Sequence, residues 1–350
     1  MMKHRNRIMT AVIGIFLCAI FLSSCSVAQK KTSLRVIIVP KFEIGEMTGD
    51  FPGEAQLFYE RYCSGCIETE IPHMPSTGHF YVNEEGVGIL VTGSGKTAAG
   101  LSLMALLSDE SYDCSDAYIV SVGCGGGNSE DTALGDIVVV TTTCDYDLGH
   151  HADSSEMADP ENLVTWFPEE GLTEQAYRMF NPELYEAVYE MIKDCPLQTT
   201  ELTKQILSDS YAEPEKTERE PIVMKGTALS GDNYWKGRYD HENAKYITEY
   251  YEVPDPYAVT EMEEIAIAHA AECFDMLDRV ISLRVIVNID LFLGKETPES
   301  LWTDNDTYSE RVSEENNETL DIFEPAMHNL FDVSGIVIDA LLEGKLSIGH

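Results

Sequence analysis

Four stretches of this sequence carry residue types that could do chemistry. Two are glycine-rich turns that each follow an apolar run: Gly93-Ser94-Gly95-Lys96 after GILVT, and Gly123-Cys124-Gly125-Gly126-Gly127 after AYIVSV. Glycine at a strand end lets the backbone approach a ligand closely, and ligands of open α/β sheets bind beyond the carboxyl ends of strands. Lys96 and Thr97 suggest a phosphate-binding loop, but that motif needs glycine six positions before its lysine, where Leu90 stands. Neither turn matches the dinucleotide fingerprint, and each alone is more often a tight structural bend than a site. The third stretch, Ser230 to Trp235 (SGDNYW), sets Tyr234 and Trp235 just after a strand. Their faces could stack on a heterocyclic base or simply fill a core. In the fourth, Glu261-Met262-Glu263 leads into a helix, and Arg284, Asn288 and Asp290 follow about twenty residues later after a strand. Two carboxylates, an arginine and an amide could bind a sugar diol and polarise a leaving group; helix N-terminal charges favoured by the dipole are the plainer reading.

These residues need elements to hold them. LRVIIV at 34–39 is a run of β-branched and apolar residues typical of a strand buried on both faces. Further strands are expected at 88–92, 117–122, 136–142, 222–228 and 280–287. Helical patterns fall between them at 54–61, 96–107, within 233–250, and at 263–274. Strand and amphipathic helix in alternation predict an α/β domain with a mainly parallel sheet and helices on both sides. The stretch from about 145 to 220 breaks the rhythm. It is rich in acidic residues, Pro and Tyr, with helix signals from 173 to 207, and reads as an acidic helical insertion at the sheet edge or over a site; a separate small domain would need a linker that the sequence lacks. Residues 319–348 read as one or two closing helices, and no internal repeat is present.

The amino terminus carries Lys3, Arg5 and Arg7, an apolar run from Met9 to Leu22, then Ser23, Ser24 and Cys25. The run is about 14 residues against the roughly 20 that a spanning helix needs. The expectation is therefore a lipoprotein signal at 1–24, acylation of Cys25, a tether at 25–32 and one domain at 33–350, on the outer side of a bacterial membrane. The formal net charge of −38 becomes more negative once the basic signal is removed. It excludes a nucleic-acid footprint and disfavours adhesion to anionic lipid. A single chain of this kind cannot form a channel, which needs several spanning segments. Of nine cysteines, Cys18 leaves with the signal and Cys25 takes the lipid. Cys63 and Cys66 form the only CxxC pair, too little for structural zinc; a local disulfide and two free thiols both fit an oxidising compartment. No metal or cofactor is expected.

In order and spacing, FPGEAQLFYE, TGSGKTAAG, SVGCGGGNSEDTALGDIVVV, SGDNYW, TEMEEIAIAHAA and LRVIVNID resemble the nucleoside phosphorylase and nucleosidase superfamily, and within it the purine nucleoside permease family. The resemblance covers most of residues 33–295 and implies a three-layer α/β/α fold with a mainly parallel or mixed central sheet. By similarity to nucleosidases acting on methylthioadenosine and S-adenosylhomocysteine, Glu54 is the acid/base that activates water, Glu263 holds the ribose hydroxyls and Arg284 orients the nucleophile. The turn of Gly93, Ser94, Gly95 and Lys96 binds water or phosphate. Cys124, Gly125 and Gly126 line ribose and base, with Met262 beside them, and Tyr234 stacks on the purine next to Trp235. The implied activity is N-glycosidic cleavage in nucleoside salvage, or binding of a purine nucleoside in support of a separate transporter, by a homo-oligomer. Three departures matter. Cys124 replaces a serine. Asn288 stands where those enzymes protonate the purine with an aspartate, which favours 6-oxopurines and leaves Asp290 as a stand-in. No arginine occupies the GSGK turn, so water is favoured over phosphate as co-substrate. His150 and His151 open the insertion, and a pocket edge and a solvated loop remain equal readings.

Overall fold

The computed structural model describes residues 31–159, 161–201, 203–204, 219–291 and 318–347. The signal, Cys25 and almost all of the tether lie outside them, as do the last helix signals of the insertion. Where apolar and β-branched residues run unbroken, the chain is a buried strand: β1 (Val36–Val39), β3 (Val87–Val91), β4 (Tyr118–Gly127), β5 (Ile137–Asp145), β7 (Val223–Ser230) and β9 (Val280–Ile289). Three strands join them that the sequence reading did not anticipate: β2 (His79–Val82), β6 (Tyr177–Met179) and β8 (Tyr257–Glu261).

The sheet is mixed, in the order β6-β5-β7-β8-β4-β1-β3-β2, with β9 pairing both β4 and β5. β9 runs parallel to β4 and antiparallel to β5, so β4, β9, β5, β7 and β8 close on one another in a circuit. β6, from the acidic insertion, adds antiparallel to β5 at one edge.

Period-two alternation divides the strands between two cores. Ile37, Val39, Val138 and Val140 face α2 (Lys96–Ser108) and α5 (Glu264–Glu272), where Leu103, Leu106, Ile267 and Ala271 meet them. Val36, Ile38, Ile137 and Val139 face α1 (Gln56–Tyr62), α3 (Pro182–Ile192) and α6 (Glu318–Leu342) through Phe58, Val188, Leu330 and Val337. The helix patterns explain this. α2 buries Ala99, Ser102, Leu103 and Leu106 on one stripe, and α3 starts with Pro182 after an Asn181 side chain that caps Glu183 N–H. This is the expected helix–sheet–helix layering, with the sheet curled on itself.

A third, smaller core lies beneath the insertion. Trp166, fully buried, packs with Tyr146, Leu229, Ala244 and Tyr257, and α4 (Arg238–Tyr250) supplies Asn243, whose Oδ1 accepts from Thr165 N at 2.7 Å and Trp166 N at 2.9 Å. The CxxC cysteines are free thiols, and burial raises Cys63 to about 12. Because Asn243 is buried and satisfies two backbone donors, Asn243→Ala should lower unfolding free energy by about 1–3 kcal/mol. Urea denaturation checks this; an unchanged midpoint would show that the insertion is held in some other way.

Candidate active site

The carboxyl ends of β1, β3, β4, β7, β8 and β9 converge on a cavity of about 290 Å³. β1 delivers Lys41, β4 delivers Cys124, Gly125 and Gly126, β8 delivers Glu261 to Glu263, and β9 delivers Asn288 and Asp290. Ser94, Glu54, Asn233, Tyr234 and Trp235 complete the polar and aromatic wall. Ile322 and Phe323 of α6 close one side, and Phe323 packs 5.9 Å from Phe51 and 6.4 Å from Phe42 between ring centroids.

Glu54 is buried just ahead of α1. Its Oε2 accepts from Lys41 N at 2.8 Å and its Oε1 from Cys124 N at 2.7 Å. Both oxygens are thereby fixed, as a positioned base requires. The glycine at 123 is obligatory for this approach: a Cβ there would lie 2.5 Å from Arg284 Nη1 and 2.9 Å from Glu54 Oε1. At Gly126 a Cβ would overlap Asp290 Oδ1. The glycine-rich stretch of β4 is therefore a groove into which three functional side chains fit.

Arg284 sits behind the cavity rather than in its wall. Fully buried, its Nη2 donates to Glu261 Oε2 at 2.9 Å and Glu264 Oε2 at 2.8 Å, and Nη1 lies 3.6 Å from Glu263 Oε2. The expected contact with the nucleophile gives way to a role in ordering three carboxylates, because their charge compensates the guanidinium where water cannot. Glu261 is bound further by Glu263 N and Glu264 N, each at 2.7 Å, and by Ser230 Oγ.

The carboxylates diverge in acidity. Burial alone would raise Glu264, but Arg284 and Lys41 outweigh it and hold that carboxyl below its usual range. Burial pushes Glu263 up to about 7, with Glu261 adding to the shift and Arg284 opposing it. Burial also lifts Asp290 to about 7, although hydrogen bonds from Thr260 and Tyr257 resist. Asp290 Oδ1 accepts from Thr260 Oγ1 at 2.9 Å and Oδ2 from Tyr257 Oη at 3.2 Å. One wall thus offers a carboxyl able to carry a proton near neutrality, and the Glu54 side offers a carboxylate held by backbone donors.

Several expected residues are not in the wall. Gly93 and Gly95 turn the chain with φ of 82° and 92°, and Gly95 N donates to Glu263 Oε1 at 2.9 Å, which makes that turn a support for Glu263. Lys96 points away to Asp145 at 2.7 Å and Asp147 at 2.8 Å. Its ammonium is already compensated, so the turn presents no cation to a phosphate. Tyr234 and Trp235 do line the cavity: Tyr234 is 71% exposed at its mouth, and Trp235 stacks on Tyr146 at 5.1 Å and 23°. His150 and His151 lie outside the cavity, bonded to Glu169 and to the Tyr146 carbonyl.

The sequence reading missed Lys41. Fully buried, its Nζ donates to Val39 O, Ser121 Oγ and Val122 O, and burial lowers its pKa with help from Arg284. Its place at the carboxyl end of a buried strand was the available signal. Glu264 was missed as well, since nothing local separates it from an ordinary first-turn acid.

The raised Asp290 gives a test of this geometry. Its ordinary value is 3.8, so between there and about pH 7 the folded chain binds more protons than the unfolded one. Stability must then fall as pH climbs through that window. Asp290→Asn should lose less stability between pH 5 and pH 8 than the unaltered chain when both are unfolded in urea; equal losses would contradict a protonated Asp290.

Comparison with known proteins agrees with this architecture. Among solved structures, the chain is similar to a 5'-methylthioadenosine/S-adenosylhomocysteine nucleosidase from Colwellia psychrerythraea 34H in complex with adenine. The TM-score is 0.52 and the identity 19%, over 91% of this chain and 96% of that one. A futalosine hydrolase from Helicobacter pylori gives a TM-score of 0.52 and 12% identity, over 87% of this chain and 99% of that one. At these identities the likeness concerns the fold. A probable purine nucleoside permease of Schizosaccharomyces pombe is 26% identical over 178 residues, 45% of this chain and 50% of that protein, so the chain spans about half the length of the curated relative it matches. The model of the purine nucleoside permease family matches residues 33–345. The chain belongs to the purine nucleoside permease family.

Proposed function

We propose that this protein is a purine nucleoside hydrolase that works outside the cytoplasm, tethered through Cys25. The observation that carries the reading is the division of labour among carboxyl groups around one cavity. Glu54 is held by Lys41 N and Cys124 N, while Asp290 and Glu263 are raised to about 7 by burial. A carboxyl group raised by burial can hold the proton an acid must give, while Glu54, oriented by two backbone donors, is placed to act as the base.

In the proposed reaction Glu54 takes a proton from water as it attacks the anomeric carbon. Glu263 binds the ribose hydroxyls, and the acidic wall stabilises the cationic ribosyl group as the bond to the base breaks. Asp290 gives its proton to the departing purine, a role open to it because its carboxyl, unlike the amide of Asn288, has a proton to transfer. Asn288 is left to pair with a 6-oxopurine, so inosine and guanosine are the preferred substrates. Tyr234 covers the base at the mouth, and Trp235, braced by Tyr146, forms the edge of its slot. Water is favoured over phosphate because Lys96 is committed to two aspartates and the wall is lined with carboxyl groups.

The family description supports a second reading, nucleoside binding in aid of transport. No helix among the described residues is long and apolar enough to cross a membrane, so in that reading the protein hands nucleoside to another. Free-base release from inosine, guanosine and adenosine, with and without phosphate, separates the two. Hydrolysis predicts release without phosphate, reduced about 10²–10⁴-fold in Glu54→Gln. Micromolar nucleoside binding without release would replace the enzyme by the binding protein, and release that depends on phosphate would make it a phosphorylase.

A further inference from the structure

Asp290 is the inner end of a line of hydrogen bonds that leaves the cavity through the protein. Its Oδ2 meets Tyr257 Oη at 3.2 Å, Tyr257 Oη meets His241 Nδ1 at 2.9 Å, and His241 Nε2 lies 3.4 Å from Glu130 Oε1. Asp290, Tyr257 and His241 are all buried, at 1%, 1% and 2% exposure, while the Glu130 side chain is 52% exposed. A second cavity of about 350 Å³ is lined by Glu130, Lys245, Asp255 and Tyr257. Tyr257 therefore stands between the two cavities, and Asp290 and Glu130 mark the two ends.

We propose that Tyr257 and His241 form a relay that restores to Asp290 the proton it gives to the departing purine, drawing it from solvent at Glu130. The inference rests on the hydrolase reading above and adds two positioning residues to it.

The line has two polarities, which differ in the tautomer of His241; in the second, Nε2 is free to accept a proton from the solvent side. With Asp290 protonated, its O–H donates to Tyr257, Tyr257 O–H donates to His241 Nδ1, and His241 Nε2–H donates to Glu130. Once Asp290 has released its proton, Tyr257 O–H turns to donate to Asp290 Oδ2, and His241 changes tautomer, losing its Nε2 proton to water at the Glu130 side and taking one from water at Nδ1, so that Nδ1–H donates to Tyr257 and the proton count of the line is unchanged. Transfer then moves the Tyr257 proton to Asp290 and the Nδ1 proton to Tyr257, and Nε2 accepts one from the solvent side, so one proton enters for each that leaves with the purine. A phenol and a neutral imidazole suit this because each can donate and accept at once.

Burial, against the net pull of the charged groups around the line, favours a neutral His241. Burial lowers its pKa, opposed by Glu130, while Lys245 from the next turn of α4 adds to the lowering and Glu242 opposes it. Lys245 Nζ lies 2.9 Å from Glu130 Oε1, which places a cation where a metal ion shared by Glu130, His241 and Glu242 would have to sit. Toward the cavity, Asp290 faces Tyr257, Thr260 and the charge of Lys236.

The test compares two substrates on the purified protein and on Tyr257→Phe and His241→Gln. Inosine needs a protonated leaving group, whereas p-nitrophenyl riboside releases a phenolate that needs none. The ratio of inosine to p-nitrophenyl riboside turnover should fall about 10–100-fold in both variants, within the range that general acid catalysis supplies, and approach the ratio of Asp290→Asn. The high-pH limb of the inosine profile, which reports the protonated acid, should be displaced in the same variants. An unchanged ratio overturns the relay, including the case in which a misfolded variant slows both substrates equally. An unaltered protein that cleaves p-nitrophenyl riboside but not inosine also overturns it, whereas one that cleaves neither removes the hydrolase reading itself.

Discussion

The burial of one guanidinium organises this molecule. Arg284 is fully enclosed at the sheet and bonded to Glu261 and Glu264, with Glu263 alongside. A charge removed from water in this way costs several kcal/mol unless its partners are well placed, and the partners cost as much without it. The compensation here draws on β9 for the arginine, β8 and the start of α5 for the carboxylates, and β4 for Ser121, which donates to Glu264 Oε2 at 2.7 Å. These elements cannot shift independently without stranding a charge, and they are the ones that frame the cavity.

From that constraint follows the spread of acidities. Glu264, nearest the cations Arg284 and Lys41, is held down. Glu263, at the edge of the same cluster and toward the cavity, is pushed up, and Asp290, buried across the cavity beside a phenol, is pushed up as well. Groups of one chemical type therefore differ in acidity within a single site, set by whether nearby cations outweigh burial, as at Glu264, or burial outweighs them, as at Glu263 and Asp290. Lys41 joins the two halves: its backbone N–H fixes Glu54 while its ammonium sits against Ser121.

The closure of the sheet matters for the same reason. β9 pairs with β4 along its whole length and crosses to β5 at the same time, so the ends of β4, β8 and β9 meet over a small area. Glycines in β4 let that approach become close enough for Asp290, Glu54 and Arg284 to lie against its backbone. Any side chain at 123 or 126 would displace a functional group before it disturbed the core.

Much of this was legible in the sequence. Unbroken β-branched runs announced β1, β3, β4, β5, β7 and β9, and the collinear motifs around Glu54, the β4 glycines, Tyr234, Glu263 and Arg284 pointed to one site, since the residues sit where strands end. β8 escaped because YAVTE is short and follows prolines, and β6 because three residues give no period to read. Tertiary structure alone decided that Arg284 backs the carboxylates instead of facing the cavity, that Lys96 turns to Asp145 and Asp147, and that Lys41, Tyr257 and His241 reach the site. The physical reason is that local sequence fixes backbone preference and burial pattern over a few residues. Which charge meets which, and so which proton each group keeps, depends on side chains brought together from elements 80 and 111 residues apart in sequence.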